Sequence, residues 1–225
     1  MNGPLFHLRR MSFRVILNIC LLAIGAATTA QAHSVWIEPK DDQLVVRFAE
    51  PGNSFEVSPG HLDSLSPPIA FVIVTNAPLA TEARKKSDHY LLVGVSPSTI
   101  VCAETGFTVR GGRKPIFYAR WQPARASAAT PLLTFDLVPT GKAGEVRVYF
   151  RGQPLGGITA TLITPSEKEQ ELTADAEGFL HFTATQPGRY LLTIAHYRES
   201  LAGFHQGVAY KETSHNCSLV WQQSE

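Results

Sequence analysis

Helical periodicity is hard to find after residue 33, and in its place short runs of β-branched and aromatic residues recur between Pro, Gly, Asn and Asp. A chain punctuated in this way buries alternate faces of strands, because side chains along a strand point to opposite sides in turn. The strands predicted are Val35 to Glu38, Leu44 to Phe48, Ala70 to Thr75, Tyr90 to Val95, Phe107 to Arg110 and Ile116 to Trp121. A second set comprises Leu132 to Leu137, Val146 to Phe150, Ile158 to Ile163, Glu169 to Thr173, Phe179 to Thr183, Arg189 to His196 and Ser218 to Trp221. The fold class expected is all-β, and the spacing is that of β-sandwiches.

Pro123 to Pro131 is rich in Ala, Ser and Pro and has no apolar pattern, so residues 123–131 read as a linker. The division expected is an N-terminal β domain over 33–122 and a C-terminal β-sandwich over 132–225. Together they offer about 190 residues, enough for two small cores.

Residues 1–32 have the layout of a secretory signal: a basic lead with Arg9, Arg10 and Arg14, an apolar run from Val15 through Ala26, and small residues ending Ala30-Gln31-Ala32. The run is shorter than the roughly 20 residues a helix needs to cross a bilayer, so cleavage after Ala32 is expected and stable membrane insertion is not. Met11 is an alternative start that keeps Arg14. Cys20 follows Ile19, whereas a lipoprotein cysteine follows a small residue. The expected mature chain begins at His33 and works outside the cytoplasm.

Removing Arg9, Arg10 and Arg14 from the 20 basic residues leaves 17 against 19 acidic ones. The basic residues that remain are dispersed, which leaves no electrostatic footprint for nucleic acid or an anionic membrane. Of three cysteines, Cys102 and Cys217 survive processing. An oxidising compartment permits them to pair, and two buried free thiols are the alternative.

The sequence has no G-x-S-x-G, no H-E-x-x-H, no phosphate-binding Gly-rich loop and no C-x-x-C, so an ordinary hydrolase or nucleotide enzyme has no support. Histidine is what remains. A processed N-terminal His33 carries an α-amino group as well as an imidazole, and one residue can then chelate a borderline metal while other imidazoles complete the site. His196 shares a predicted strand face with Tyr190, Leu192 and Ile194, where it is either a core residue or a ligand at the strand's end. His215, in Thr213-Ser214-His215-Asn216, is uninformative alone. His181 alternates with Leu180 and Phe182 and should face solvent. His61 has an H-x-D spacing with Asp63 that occurs in metal oxygenase sites, within a loop rich in Pro and Gly. His89 and His205 are expected to be exposed, the latter in a mobile loop between Gly203 and Gly207.

The processed start His33-Ser34-Val35-Trp36-Ile37-Glu38-Pro39 is similar to the A-H-x-x-W-x-x-P opening of a bacterial family described as the periplasmic component of cobalt or nickel uptake systems. Ile194-Ala195-His196, Gly144-Glu145-Val146-Arg147-Val148, Gly152-Gln153-Pro154-Leu155-Gly156-Gly157 and Asp175-Ala176-Glu177-Gly178 resemble further segments of that family in order and spacing. The likeness spans nearly the whole mature chain, and the C-terminal half looks like a transthyretin-like or carboxypeptidase-regulatory sandwich. The resemblance implies a soluble periplasmic protein of two β domains that handles a transition metal (nickel, cobalt or copper). It implies His33 and His196 as ligands, and an inner- or outer-membrane metal transporter as a partner. His215 is the third expected ligand, although the family tends to place aromatic or polar residues there.

Two other functions compete. An N-terminal histidine with another imidazole can hold copper in a brace for oxidative chemistry, with Trp36, Trp121 and Trp221 as a platform for substrate, although large aromatics are more often core. Loops on two sandwiches can also form a binding module that uses no metal.

Overall fold

The computed structural model describes residues 33–74, 77–123 and 128–223. The signal expected over 1–32, and residues 124–127 of the expected linker, lie outside them. Among the described residues there are eighteen strands and a single 3-10 turn, His61–Ser64, and no helix is long and apolar enough to cross a membrane. The all-β expectation holds.

The largest sheet has eight strands. Four come from the earlier half of the chain: β3 (Ile69–Val74), β4 (Ala77–Thr81), β7 (Val101–Gly106) and β8 (Arg113–Gln122). The other four are β12 (Thr159–Ile163), β13 (Glu169–Thr173), β15 (Gly188–Glu199) and β18 (Glu212–Gln223). The order is β13-β12-β15-β18-β8-β7-β3-β4. The two sets meet where β18 runs parallel to β8, with Glu212 opposite Arg113 and Trp221 opposite Gln122.

Smaller sheets cover this one. On one face lie β1 (Ser34–Lys40), β2 (Gln43–Ala49), β5 (Ala83–Lys85) and β6 (Tyr90–Leu92), with β1 packed across both β8 and β18. The Ser218 hydroxyl fastens that contact by donating to the Val35 carbonyl at 2.7 Å. On the other face lie β9 (Phe135–Pro139), β10 (Glu145–Phe150), β11 (Gln153–Pro154) and β14 (Phe179–His181), with β9 across the same two strands. A separate hairpin pairs β16 (Gly203–His205) with β17 (Val208–Tyr210).

Alternation along the central strands feeds a different core on each face. Phe117, Ala119 and Trp121 of β8 and Val220 of β18 join Ile37, Val46 and Phe48 in the first core. Tyr118 of β8 and Cys217, Leu219 and Trp221 of β18 join Phe135, Leu137 and Val148 in the second. Parallel strands are found where both faces are covered, which matches the unbroken burial of β18 from Thr213 to Trp221. The boundary expected between residues 122 and 132 therefore does not divide one sheet from another. The strand before it and the last described strand are hydrogen-bonded neighbours, and the described residues belong to one compact unit.

The seam also settles the cysteines, which are free and buried. Cys102 pairs with Arg120 and Cys217 with Tyr118, on opposite sides of β8. Two strand spacings alone put their backbones at least about 9.6 Å apart, beyond the roughly 7 Å that a disulfide spans. The alternative of two buried thiols is the one observed.

Candidate metal centre

Three donor-bearing side chains meet at the end of the first small sheet. His33 immediately precedes β1, whose first pair is Ser34 with Ala49 of β2. The chain leaves β2 through Glu50 and returns so that the Glu56 amide donates to the Phe48 carbonyl at 3.0 Å, which brings the Glu56 carboxylate beside His33. His61 then opens the 3-10 turn.

Oε1 of Glu56 lies 2.6 Å from His33 Nε2 and 3.2 Å from His61 Nδ1. One ligand atom from each of the three residues falls within 4.8 Å of the others, and among the described residues this is the one group of three such side chains at metal-binding spacing. The imidazoles meet edge to face, with ring centroids 5.0 Å apart. Phe48 packs against both rings, at 5.1 Å from His33 and 5.6 Å from His61, and Phe107 packs against His61 at 5.2 Å. Buried aromatic rings thus form a fixed shelf below the donors. The three side chains keep 25–32% of their surface exposed, so an ion has a way in.

Burial alone would raise the Glu56 pKa, but hydrogen bonds from His33 and His61 outweigh it and hold the carboxyl below its ordinary value. The group is thereby kept as an anion, the form that binds a cation. Two imidazole nitrogens and one carboxylate oxygen make a donor set suited to borderline divalent ions. Glu50 stands on the other edge of the His33 ring, 3.6 Å from Nδ1.

The turn that presents His61 is locked from below. Asp63 accepts from Ser58 Oγ at 2.7 Å, from the Gly60 amide at 2.9 Å and from Lys85 Nζ at 2.8 Å. These bonds, with Lys85 foremost, hold the Asp63 carboxyl well below the usual carboxylate range. Asp63 therefore serves as a brace for the loop, and the H-x-D spacing of His61 and Asp63 does not bring both to one ion.

Neither His196 nor His215 belongs to the set containing His33. Between Ile194 and Tyr197 the register of β15 against β18 slips by one residue. The bulge gives His196 a φ of 61° and hands the inward face to Tyr197, which packs on Phe135 and Phe150. His196 is thereby turned to the opposite face from Tyr190, Leu192 and Ile194, where it is exposed with Nδ1 3.5 Å from Ser214 Oγ. His215 is buried in the second core, with Nε2 2.9 Å from Glu199 and Nδ1 3.1 Å from the Tyr118 hydroxyl. Both of its nitrogens are occupied.

The remaining histidines divide. His181 is 62% exposed, as expected. His89 is buried against expectation, its Nδ1 2.6 Å from Asp88, which also accepts from Arg47. His205 lies on a strand, with Nε2 buried. Trp36, Trp121 and Trp221 are each at most 3% exposed and form core, so they offer no platform to a substrate.

Glu56 carries no signal in the sequence, because a lone carboxylate five residues before a histidine in an irregular loop forms no periodic or spaced motif. The His61 signal is visible there only as the wrong pairing, with Asp63. No model of a known protein family matches the chain, and no curated protein matches it.

Proposed function

We propose that the protein is exported to the periplasm and binds one divalent transition-metal ion through His33, Glu56 and His61, as a component that captures the metal or delivers it for uptake. The observation that carries this reading is the meeting of three donors within 4.8 Å on an aromatic shelf, open to solvent. An ion about 2 Å from each donor would take the place of the protons now shared between the imidazoles and Glu56. Nickel and cobalt are favoured by the resemblance of the chain's opening to the uptake family, and copper suits the same donors. A membrane transporter is then the partner to which the ion passes.

Cleavage after Ala32 would add an amine to His33. A terminal amine closes its chelate ring with Nδ1, the edge facing Glu50, while Nε2 is the edge on Glu56. The three-residue site therefore stands without the amine, which is a further nitrogen available to the same histidine.

Calorimetric titration of the purified protein with Ni²⁺, Co²⁺, Cu²⁺ and Zn²⁺ tests the reading. One ion per chain is expected, with affinity falling at least about tenfold (about 1.4 kcal/mol) in His33→Ala, Glu56→Gln and His61→Ala. His196→Ala should bind as the parent does. Undiminished binding by His61→Ala, or no binding by the parent, would overturn it. Intact mass of the exported protein, expected to begin at His33, tests the leader separately.

A further inference from the structure

The face of the central sheet that carries the second core also holds an open cleft toward the start of β8. Glu104 is two residues from Cys102, and Ile116 and Lys114 are two and four from Tyr118, so alternation puts all three on that face. With Ile69, Pro67 and His205 of the β16–β17 hairpin they line a cleft of about 150 Å³. The metal centre, packed on Phe48 and Phe107 of the first core, belongs to the opposite face.

Three polar groups here make no hydrogen bond or ion pair among the described residues, and one of them, His205 Nε2, is buried. The Glu104 carboxylate has no hydrogen bond or ion pair among the described residues, and burial raises its pKa while Lys114 pulls the other way. Lys114 thus acts on Glu104 through space without pairing with it, and its ammonium lies 5.8 Å from the Tyr210 ring centroid. His205 Nε2 is buried with no hydrogen-bond partner. The buried His205 Nε2 costs free energy while it has no partner, and the half-buried Glu104 and Lys114 bring one charge of each sign to the same cleft, so the cleft suits an occupant that supplies an acceptor and both charges. Glu104 calls for a cationic donor and Lys114 for an anion, while His205 Nε2 as an N–H calls for an acceptor. Ile69, Pro67 and Ile116 call for apolar surface. The volume is well under the roughly 300–1,000 Å³ of sites for drug-sized ligands, which limits the occupant to a small molecule.

We propose that this cleft binds a free aliphatic α-amino acid, its ammonium on Glu104, its carboxylate on Lys114 and His205, and its side chain against Ile69, Pro67 and Ile116. The ligand is a zwitterion because Glu104 and Lys114 line the same cleft and make no ion pair with each other.

Calorimetric titration of the full protein with leucine, valine, alanine and glycine tests this. Isoamylamine and 4-methylpentanoate, which are leucine without its carboxylate and without its amine, serve as half-ligands. One leucine or valine per chain is expected, with each half-ligand and glycine at least about tenfold weaker. Glu104→Gln and Lys114→Met should each weaken leucine by a similar factor, with circular dichroism confirming that the variants are folded. His33→Ala and His61→Ala should bind leucine unchanged, which separates this site from the metal centre. Absence of binding by all four amino acids up to about 10 mM (a Kd weaker than about 3 kcal/mol of binding) would overturn the proposal. So would leucine binding that survives both Glu104→Gln and Lys114→Met, or half-ligands that bind as tightly as leucine. Should Glu104→Gln fail to fold, Lys114→Met and the half-ligands decide the question on the same terms.

Discussion

Nε2 of His33 lies 2.6 Å from Oε1 of Glu56 across 23 positions of sequence. Two supports maintain that contact: the β1–β2 ladder, which sets His33, and the loop from Glu50 to His61, which returns along Phe48. The placing of the three donors thus depends on the loop, and the loop's tightest point is Gly60.

Gly60 has a φ of 149°, and a Cβ there would come within 2.9 Å of the Val57 carbonyl. Gly60→Ala should therefore push the turn away from Val57 and move His61, at a cost of about 1–3 kcal/mol for the strained backbone. Metal affinity should fall about tenfold although all three donors remain. Gly52→Ala is the control, because its φ of 81° is also strained but a Cβ there meets nothing within 4 Å. Titration of both variants with Ni²⁺ should show a loss confined to Gly60→Ala.

Stability should fall as the solution is made mildly acid. Burial, against the opposing pull of Asp88, lowers the His89 pKa from its ordinary 6.5, and burial does the same to His215 against the pull of Glu199. Below about pH 6.5 the unfolded chain binds protons that these two rings refuse in the fold, so folding weakens as pH falls through that range. Asp88 adds a later loss: despite burial, hydrogen bonds from His89 and Arg47 hold its carboxyl down at about 2, so its contribution fades from pH 3.8 downward. The melting temperature should drop between about pH 7 and pH 5, and less steeply in His89→Gln combined with His215→Gln. Equal slopes in parent and variant would contradict this.

Strands buried on one face are legible in the sequence, because their pattern of period two is written in residue type. Glu169–Thr173 appears with its predicted bounds and Val146 to Phe150 gains one residue at its start, while Leu44 to Phe48, buried along its whole length and legible from its Val and Phe instead, gains one at each end. β7 is not legible. Its Val-Cys-Ala-Glu-Thr-Gly is buried over most of its length and has small residues where a strand signal needs bulk, so the pattern points to Phe107 to Arg110 instead. There the structure has isolated bridges, Leu65 with Phe107 and Arg110 with Arg113. The parallel pairing of β8 with β18 leaves no turn to read, which is why the halves of one sheet resemble separate domains. The importance of His33 can be read from its neighbours in sequence. Its partners cannot, because a loop's return path and a one-residue bulge leave no mark on composition.

Cys102 and Cys217 should stay reduced in the folded protein even under oxidising conditions. β8 stands between them, and burial pushes the Cys102 thiol up to about 12 and the Cys217 thiol well above its ordinary value. A thiol reagent attacks the thiolate, and neither group supplies it at neutral pH. Native protein should therefore label slowly at both residues, and both should react at once in denaturant. A rapidly formed disulfide in the native protein would contradict the register.

The ion pair of Arg120 with Asp136 locks the central sheet to β9, and it should behave as a unit. Arg120 donates from Nε to Oδ1 at 2.9 Å and from an Nη to Oδ2 at 2.6 Å, with both side chains at most 1% exposed. Asp136 also accepts from the amides of Leu132 and Leu133, and Arg120 donates to the Thr130 carbonyl. Removing one member strands the other as a buried charge, so Arg120→Met or Asp136→Leu should each cost about 3–5 kcal/mol. Asp136→Leu should cost more, since it also leaves two amides without their acceptor. The double variant removes both charges together and should be less damaging than the sum of the two, a coupling that a denaturant double-mutant cycle would measure. Additive losses would mean that each side chain acts alone, and that the contact does not hold β8 to β9.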